Sequence, residues 1–201
     1  MSDFIIKIFM IVYFFLYYGI LFVLNTYFVS KRIGKNPYVI NQKKGIISYV
    51  ETVIKFCGII IPIVLLIFIV SKTLYNILVP INSLEGFWFD LAGITMMNLG
   101  FLICYTAQHF MRNSWRIGID VESDVTLVTS GIFKYSRNPF FLGTMITYLG
   151  FFLILPNVIS FTVGVLYYFL IQIQVRFEEK NLITVLEGIY REYMNRVKRW
   201  I

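Results

Sequence analysis

Five long apolar stretches, at 4–29, 50–70, 86–110, 140–155 and 158–173, limit what this chain can fold into more than any other feature. In hydrocarbon every backbone N–H and C=O must find its partner inside the segment or in a closed barrel, so runs of this length read as membrane-spanning helices. The first three meet the roughly 20-residue requirement for a helical crossing. The last two hold about 16 residues each, below the usual span length, and only Pro156 and Asn157 separate them. They read as a tight helical hairpin. Charged residues make up only 14% of the chain, against roughly 25% in soluble domains. The expected fold is therefore all-α: a polytopic helical membrane protein with about five spans, a C-terminal hairpin and an amphipathic cytoplasmic tail. Residues 1–201 read as one integral membrane domain, three spans over 1–110 followed by a second half over 111–201.

Cytoplasmic loops accumulate lysine and arginine. Here Lys31, Arg32, Lys35, Lys43 and Lys44 lie after the first span, and Arg112, Arg116, Lys134 and Arg137 after the third. Arg176, Lys180, Arg191, Arg196, Lys198 and Arg199 follow the fifth. Five spans put all three groups on one side, so the N-terminus is expected outside and the C-terminus in the cytoplasm. The same placement explains the net charge of +7 without nucleic acid, for which no interleaved basic and aromatic stripe is present. Cys57 and Cys104 sit inside apolar runs and read as small buried hydrophobes, not as a disulfide or metal site. The first apolar stretch is too long for a signal-peptide core and is followed by no small-residue cleavage pattern, so it reads as a retained span.

Composition changes after Phe110, where the polar stretch 109–138 precedes the hairpin. Aqueous chemistry is expected there and in the tail. In the tail, Leu182, Leu186, Ile189, Tyr193, Val197 and Trp200 recur at three and four residues, an amphipathic helical stripe that Gly188 is placed to break in two. Its basic opposite face suits a helix lying at the headgroups.

From Leu127 the chain runs Leu-Val-Thr-Ser-Gly-Ile-Phe-Lys-Tyr-Ser-Arg-Asn-Pro-Phe-Phe-Leu-Gly, ending at Gly143. After the hairpin comes Arg-Phe-Glu-Glu-Lys-Asn-Leu at 176–182, then Gly188, Tyr190, Arg191 and Tyr193. This pair of motifs resembles the signature of the isoprenylcysteine carboxyl methyltransferase and phospholipid methyltransferase superfamily. That signature has a Leu-Val-x-x-Gly-x-Tyr run, Arg-His-Pro, an aromatic and a glycine, then paired glutamates and spaced tyrosines. The likeness extends over about 108–200, and the segment 114–120 is similar to bacterial members, which implies a bacterial cytoplasmic membrane. Two positions depart from the pattern: Asn138 stands where the family has His, and Phe133 where it has Tyr. Asn hydrogen-bonds but cannot shuttle a proton near neutral pH.

The resemblance implies S-adenosyl-L-methionine as cofactor and an amphiphilic or lipid acceptor drawn from the membrane. The implied cofactor-binding set is Gln108, Leu127, Val128, Gly131, Phe133, Tyr135, Arg137, Asn138, Pro139, Phe140, Glu178 and Glu179, with Arg137, Glu178 and Glu179 also as catalytic candidates and no metal. These residue types fit the ligand. Arg137 can fork onto a carboxylate, and the backbone at Gly131 allows close approach. The glutamates suit an ammonium or ribose hydroxyls, while Tyr135 or Phe140 can lie against adenine or a sulfonium. For an amine acceptor Glu178 or Glu179 would also take a proton; a carboxylate acceptor needs no base.

Plainer readings stand beside these. Arg137 can be a positive-inside flank with Pro139 starting a helix, and the glutamates a solvated face paired to Arg176 or Lys180. Gln108 and His109 end a span, and Gly143 and Gly150 can simply permit close helix packing. Glu51, Lys55 and Asp90 lie near span ends and read as interfacial. Two other functions compete: an NADPH-dependent sterol-type reductase, which shares a similar C-terminal signature, and a non-catalytic membrane scaffold. Within the superfamily, phosphatidylethanolamine N-methylation is an alternative to carboxyl methylation.

Overall fold

The computed structural model describes residues 1–37, 45–115 and 127–201. Among these the regular structure is helical, with one isolated bridge pairing Pro80 to Asn157. Helix α1 (Asp3–Tyr18) is capped by Ser2, whose hydroxyl accepts from the Ile5 amide. It passes through a π-helical segment, Gly19–Leu24, into α2 (Asn25–Ile33), which stops at Gly34 in the left-handed region. Helix α3 (Ile46–Val70) carries Pro62 inside it, and a short α4 (Lys72–Ile77) follows. Then come α5 (Phe87–Met111), α6 (Pro139–Ile154) and α7 (Val158–Arg196).

Four helical rods, over 3–33, 46–70, 87–111 and 158–196, are long and apolar enough to cross a membrane. The fifth expected segment is helical too, but α6 has 16 residues, about 24 Å at 1.5 Å per residue against a hydrocarbon thickness of roughly 30 Å. The last span is longer than its apolar stretch, because α7 runs on into the charged tail. The tail breaks at Glu187 (φ 43°, ψ −116°), one residue before the glycine that the sequence marks. One non-helical residue changes the helical phase. Tyr190 and Tyr193 are therefore buried while Ile189, expected on the same stripe, is 65% exposed.

Helices α5 and α6 pack antiparallel, and glycines set how closely. A Cβ on Gly93 would lie 2.7 Å from the Gly150 carbonyl, and one on Gly143 would lie 2.7 Å from the Gly100 carbonyl. Gly93 thus faces Gly150 and Gly100 faces Gly143, the small-residue packing by which membrane helices gain contact without a hydrophobic driving force between them. Both α6 glycines belong to this seam.

The hairpin end is tied by Asn157. Its side chain accepts from the Ser160 amide at 2.9 Å and donates to the Leu155 carbonyl at 2.9 Å and the Tyr75 hydroxyl at 3.3 Å. The Ile81 amide donates to the Pro156 carbonyl at 2.8 Å, which fixes the α4 connection to the same turn. Nearby the Met1 amine pairs with Asp90 at 2.7 Å, and Lys7 donates to the Ile69 carbonyl at 3.1 Å. A cavity of about 610 Å³ opens among Lys7, Lys72, Tyr75, Glu85 and Asp90. Asp90 and Glu51, near span ends, are both buried within the protein. Each has a partner that offsets its loss of water.

Candidate functional site

The opposite end of the bundle carries the sequence motifs, and the shortness of α6 makes room for them. The Cys104 thiol reaches the Phe140 carbonyl at 3.4 Å, so α5 continues about two turns beyond the start of α6. A 3₁₀ turn, Gly131–Lys134, occupies the vacated flank. Gly131 has φ +59°, and a Cβ there would overlap the Phe110 ring. Its bare side is filled by an aromatic ring and is not an approach for a ligand. Leu127 and Val128 lead into the turn half-buried, and the Phe133 ring is buried while its carbonyl accepts from the Tyr193 hydroxyl at 2.6 Å.

Beyond the turn the chain alternates outward and inward. Tyr135 is 74% exposed, Ser136 is buried, and Asn138 is buried just before Pro139 opens α6 at its first position, where a missing N–H costs nothing. The C-terminal segment after α7 folds back under this run. The Lys198 carbonyl accepts from the Arg137 amide at 3.0 Å, and the Arg199 carbonyl accepts from the Ser136 hydroxyl at 3.2 Å and the Asn138 side-chain amide at 3.4 Å.

Side-chain charges converge on Glu179, which projects from α7 into the cluster and is buried. Arg199 donates to Glu179 Oε2 through Nε at 3.0 Å and Nη2 at 2.6 Å. On Oε1, Arg137 Nη2 stands at 3.4 Å and Asn138 Nδ2 at 3.4 Å. The Glu179 carboxylate raises the Arg199 pKa above its ordinary value. A raised cation pKa contributes stability at all pH below the unfolded value and loses it only as pH rises through the folded one, so the Arg199 guanidinium stays charged over the working range. Two guanidinium groups against one carboxylate leave the triad a net positive charge. The Arg137 side chain is 8% exposed, yet among the described residues its buried Nε and Nη1 have no hydrogen-bond partner. Dry, unpaired donors on a charged group are costly unless an acceptor arrives.

Not every expected residue joins this cluster. Gln108 is buried in α5 and donates to the Leu21 carbonyl at 2.7 Å, bracing the π-helical segment of the first rod. Phe140 packs edge-on to Trp115 with ring centroids 4.7 Å apart. Glu178 lies half-buried beside Glu179 and has a partner of its own. Of the segment 114–120, residues 116–120 lie outside the described residues. Among the described residues no group of three metal-binding side chains occurs.

The phospholipid methyltransferase family profile matches residues 88–192, just over half of the chain, from α5 through the 3₁₀ turn and α6 to the α7 tail. The chain belongs to the phospholipid methyltransferase family. It is a membrane methyltransferase of the wider isoprenylcysteine carboxyl methyltransferase and phospholipid methyltransferase group, as the two-part motif led us to expect. No individual curated protein matches it. The family match includes Arg137, Asn138, Glu178 and Glu179 and stops short of Arg199. Sequence reasoning ranks Arg199 only among the tail's topological charges. Its partner is 20 residues away across the Glu187 break, and no local spacing connects the two.

Proposed function

We propose that this family member takes its methyl group from S-adenosylmethionine, held at the Arg137–Glu179 end of the bundle on the cytoplasmic side, and transfers it to an amphiphilic acceptor arriving from the bilayer. The observation that carries the reading is the pair of buried donors on Arg137, Nε and Nη1, that have no partner among the described residues. A guanidinium grips a carboxylate in a fork through Nη2 together with Nε or Nη1; Arg137 Nη2 is held only loosely, 3.4 Å from Glu179, and the donor molecule carries a carboxylate. Asn138 shares Glu179 Oε1 with Arg137, and Tyr135, 74% exposed, has a ring face free for an adenine. When bound, S-adenosylmethionine supplies a sulfonium-activated methyl group for direct displacement, a reaction governed by in-line placement.

Both oxygens of Glu179 already accept bonds from Arg199, Arg137 and Asn138. Its work is to position guanidinium groups, and for an amine acceptor Glu178 beside it is the other candidate to take the proton. The membrane setting supports the acceptor class: α6, which starts at the motif, packs against both α5 and α7, whose rods are apolar enough to cross a membrane. A ligand that binds only the native state raises its apparent stability. Thermal unfolding of purified protein with S-adenosylmethionine, NADPH or neither tests the donor, and stabilisation by NADPH alone would overturn the reading. Radiolabelled methyl transfer to extracted membranes then identifies the acceptor.

A further inference from the structure

Arg199 and Arg137 compete for one carboxylate. Arg199 holds Glu179 through two short bonds, 3.0 and 2.6 Å, while Arg137 Nη2 stands at 3.4 Å and, among the described residues, its buried Nε and Nη1 have no partner. We propose that Arg199 is a positioning residue. By saturating Glu179, it prevents that carboxylate from capturing Arg137 and so preserves the Arg137 fork for the carboxylate of the methyl donor. The inference rests on the donor reading above. It lies outside the matched family segment, which ends at residue 192.

The geometry separates this role from simple anchoring of the tail. The C-terminal segment is seated by its backbone, with the Lys198 and Arg199 carbonyls accepting from Arg137, Ser136 and Asn138, and Trp200 packs against the core. Shortening the Arg199 side chain leaves those contacts in place. What changes is Glu179, a buried carboxylate left with one guanidinium and the Asn138 amide, each at 3.4 Å. Such a group draws in the nearest charge-assisted donor, and Arg137 Nη2 is that donor.

The test compares S-adenosylmethionine with decarboxylated S-adenosylmethionine, which differs only in lacking the carboxylate, by calorimetry on the full chain in detergent. Wild type should prefer the complete molecule by about tenfold or more, the scale of a charge-assisted hydrogen bond. Arg199→Gln should abolish that preference by weakening the complete molecule alone, and Arg199→Lys should keep part of it. Glu179→Gln added to Arg199→Gln removes the carboxylate that would capture Arg137 and should restore the preference. A purely structural Arg199 would instead lower both affinities together, with no recovery in the double variant, and that result overturns the inference. Wild type that binds both ligands equally also overturns it while the donor reading stands, whereas wild type that binds neither removes both.

Discussion

The two ends of this bundle both bury charges and hydrogen-bonding groups, and they dispose of them in opposite ways. At the hairpin end Asn157 uses its amide on three partners and Asp90 is neutralised by an amine. At the other end the Arg137 side chain is nearly as dry, yet two of its donors meet no acceptor among the described residues. A saturated polar network can only hold the fold. An unsaturated one stores a desolvation cost that a ligand of the right charge relieves. The contrast, more than either end alone, marks which end binds.

Breaking the saturated end should therefore cost stability and nothing else. Asn157→Ala removes a helix cap and the bonds to Leu155 and Tyr75 at a fully buried position, an expected loss of about 2–4 kcal/mol. Cys57 and Cys104 are buried thiols, so a thiol-reactive dye reports unfolding directly. The variant should unfold at lower temperature while the remaining folded protein binds S-adenosylmethionine with unchanged affinity. Weakened binding in the folded fraction would mean that the two ends are coupled.

The glycine seam joins the ends and offers an intermediate case. Gly143→Ala sets a methyl against the Gly100 carbonyl and the Cys104 thiol, both at 2.7 Å. Neither neighbour is a flexible side-chain end that swings aside, so overpacking should cost about 2 kcal/mol by the same dye assay. Because the seam carries α6 and hence Pro139 and Asn138, affinity should also fall. An unchanged melting temperature would show that α5 and α6 separate easily.

At the unsaturated end the pattern inverts. Arg137→Ala should weaken S-adenosylmethionine by about tenfold, the charge-assisted contact it is proposed to make, while the ligand-free protein loses little stability because two orphan donors leave with the side chain. Calorimetry paired with unfolding of the ligand-free protein checks both halves. A large fall in stability with intact affinity would make Arg137 a structural ion-pair partner only.

How much of this could be read from the chain itself follows the range of the interactions. Span positions were legible because hydropathy is local: the apolar stretch 140–155 became α6 over 139–154 almost without change. The motif glycine, arginine and glutamates were legible because they recur as a family pattern. What no window contains is distance across the fold. Gly131 reads as a ligand approach until Phe110 is seen filling it, and Gln108 reads as a site residue until its bond to Leu21 appears. Arg199 reads as a loose tail charge until it closes on Glu179. The phase of the tail was lost for a related reason, since a single left-handed residue at 187 re-aims everything after it.

That residue supports the smallest effect and the sharpest test of what holds the tail in place. Glu187 adopts φ 43° with an exposed side chain, a conformation that costs an L-residue roughly 1–2 kcal/mol. Glycine relieves that strain but gives back about 0.5–1 kcal/mol in chain entropy. Glu187→Gly is therefore expected to raise stability by at most about 1 kcal/mol, with S-adenosylmethionine affinity unchanged. The reasoning is that the break is imposed from outside: the Lys198 and Arg199 carbonyls and the Glu179 carboxylate pull the tail back beneath the motif loop, and Glu187 bends to permit it. The hairpin end supplies an internal control in Val79, also at positive φ (54°) but β-branched, where the strain is larger. Val79→Gly should thus stabilise at least as much as Glu187→Gly, by the same thiol-dye melting curve. If Glu187→Gly instead destabilises the protein and weakens binding, a flexible joint cannot hold the tail in place, and the stiffness of the break itself, not the pull of the Glu179 cluster, is what presents Arg199 to the site.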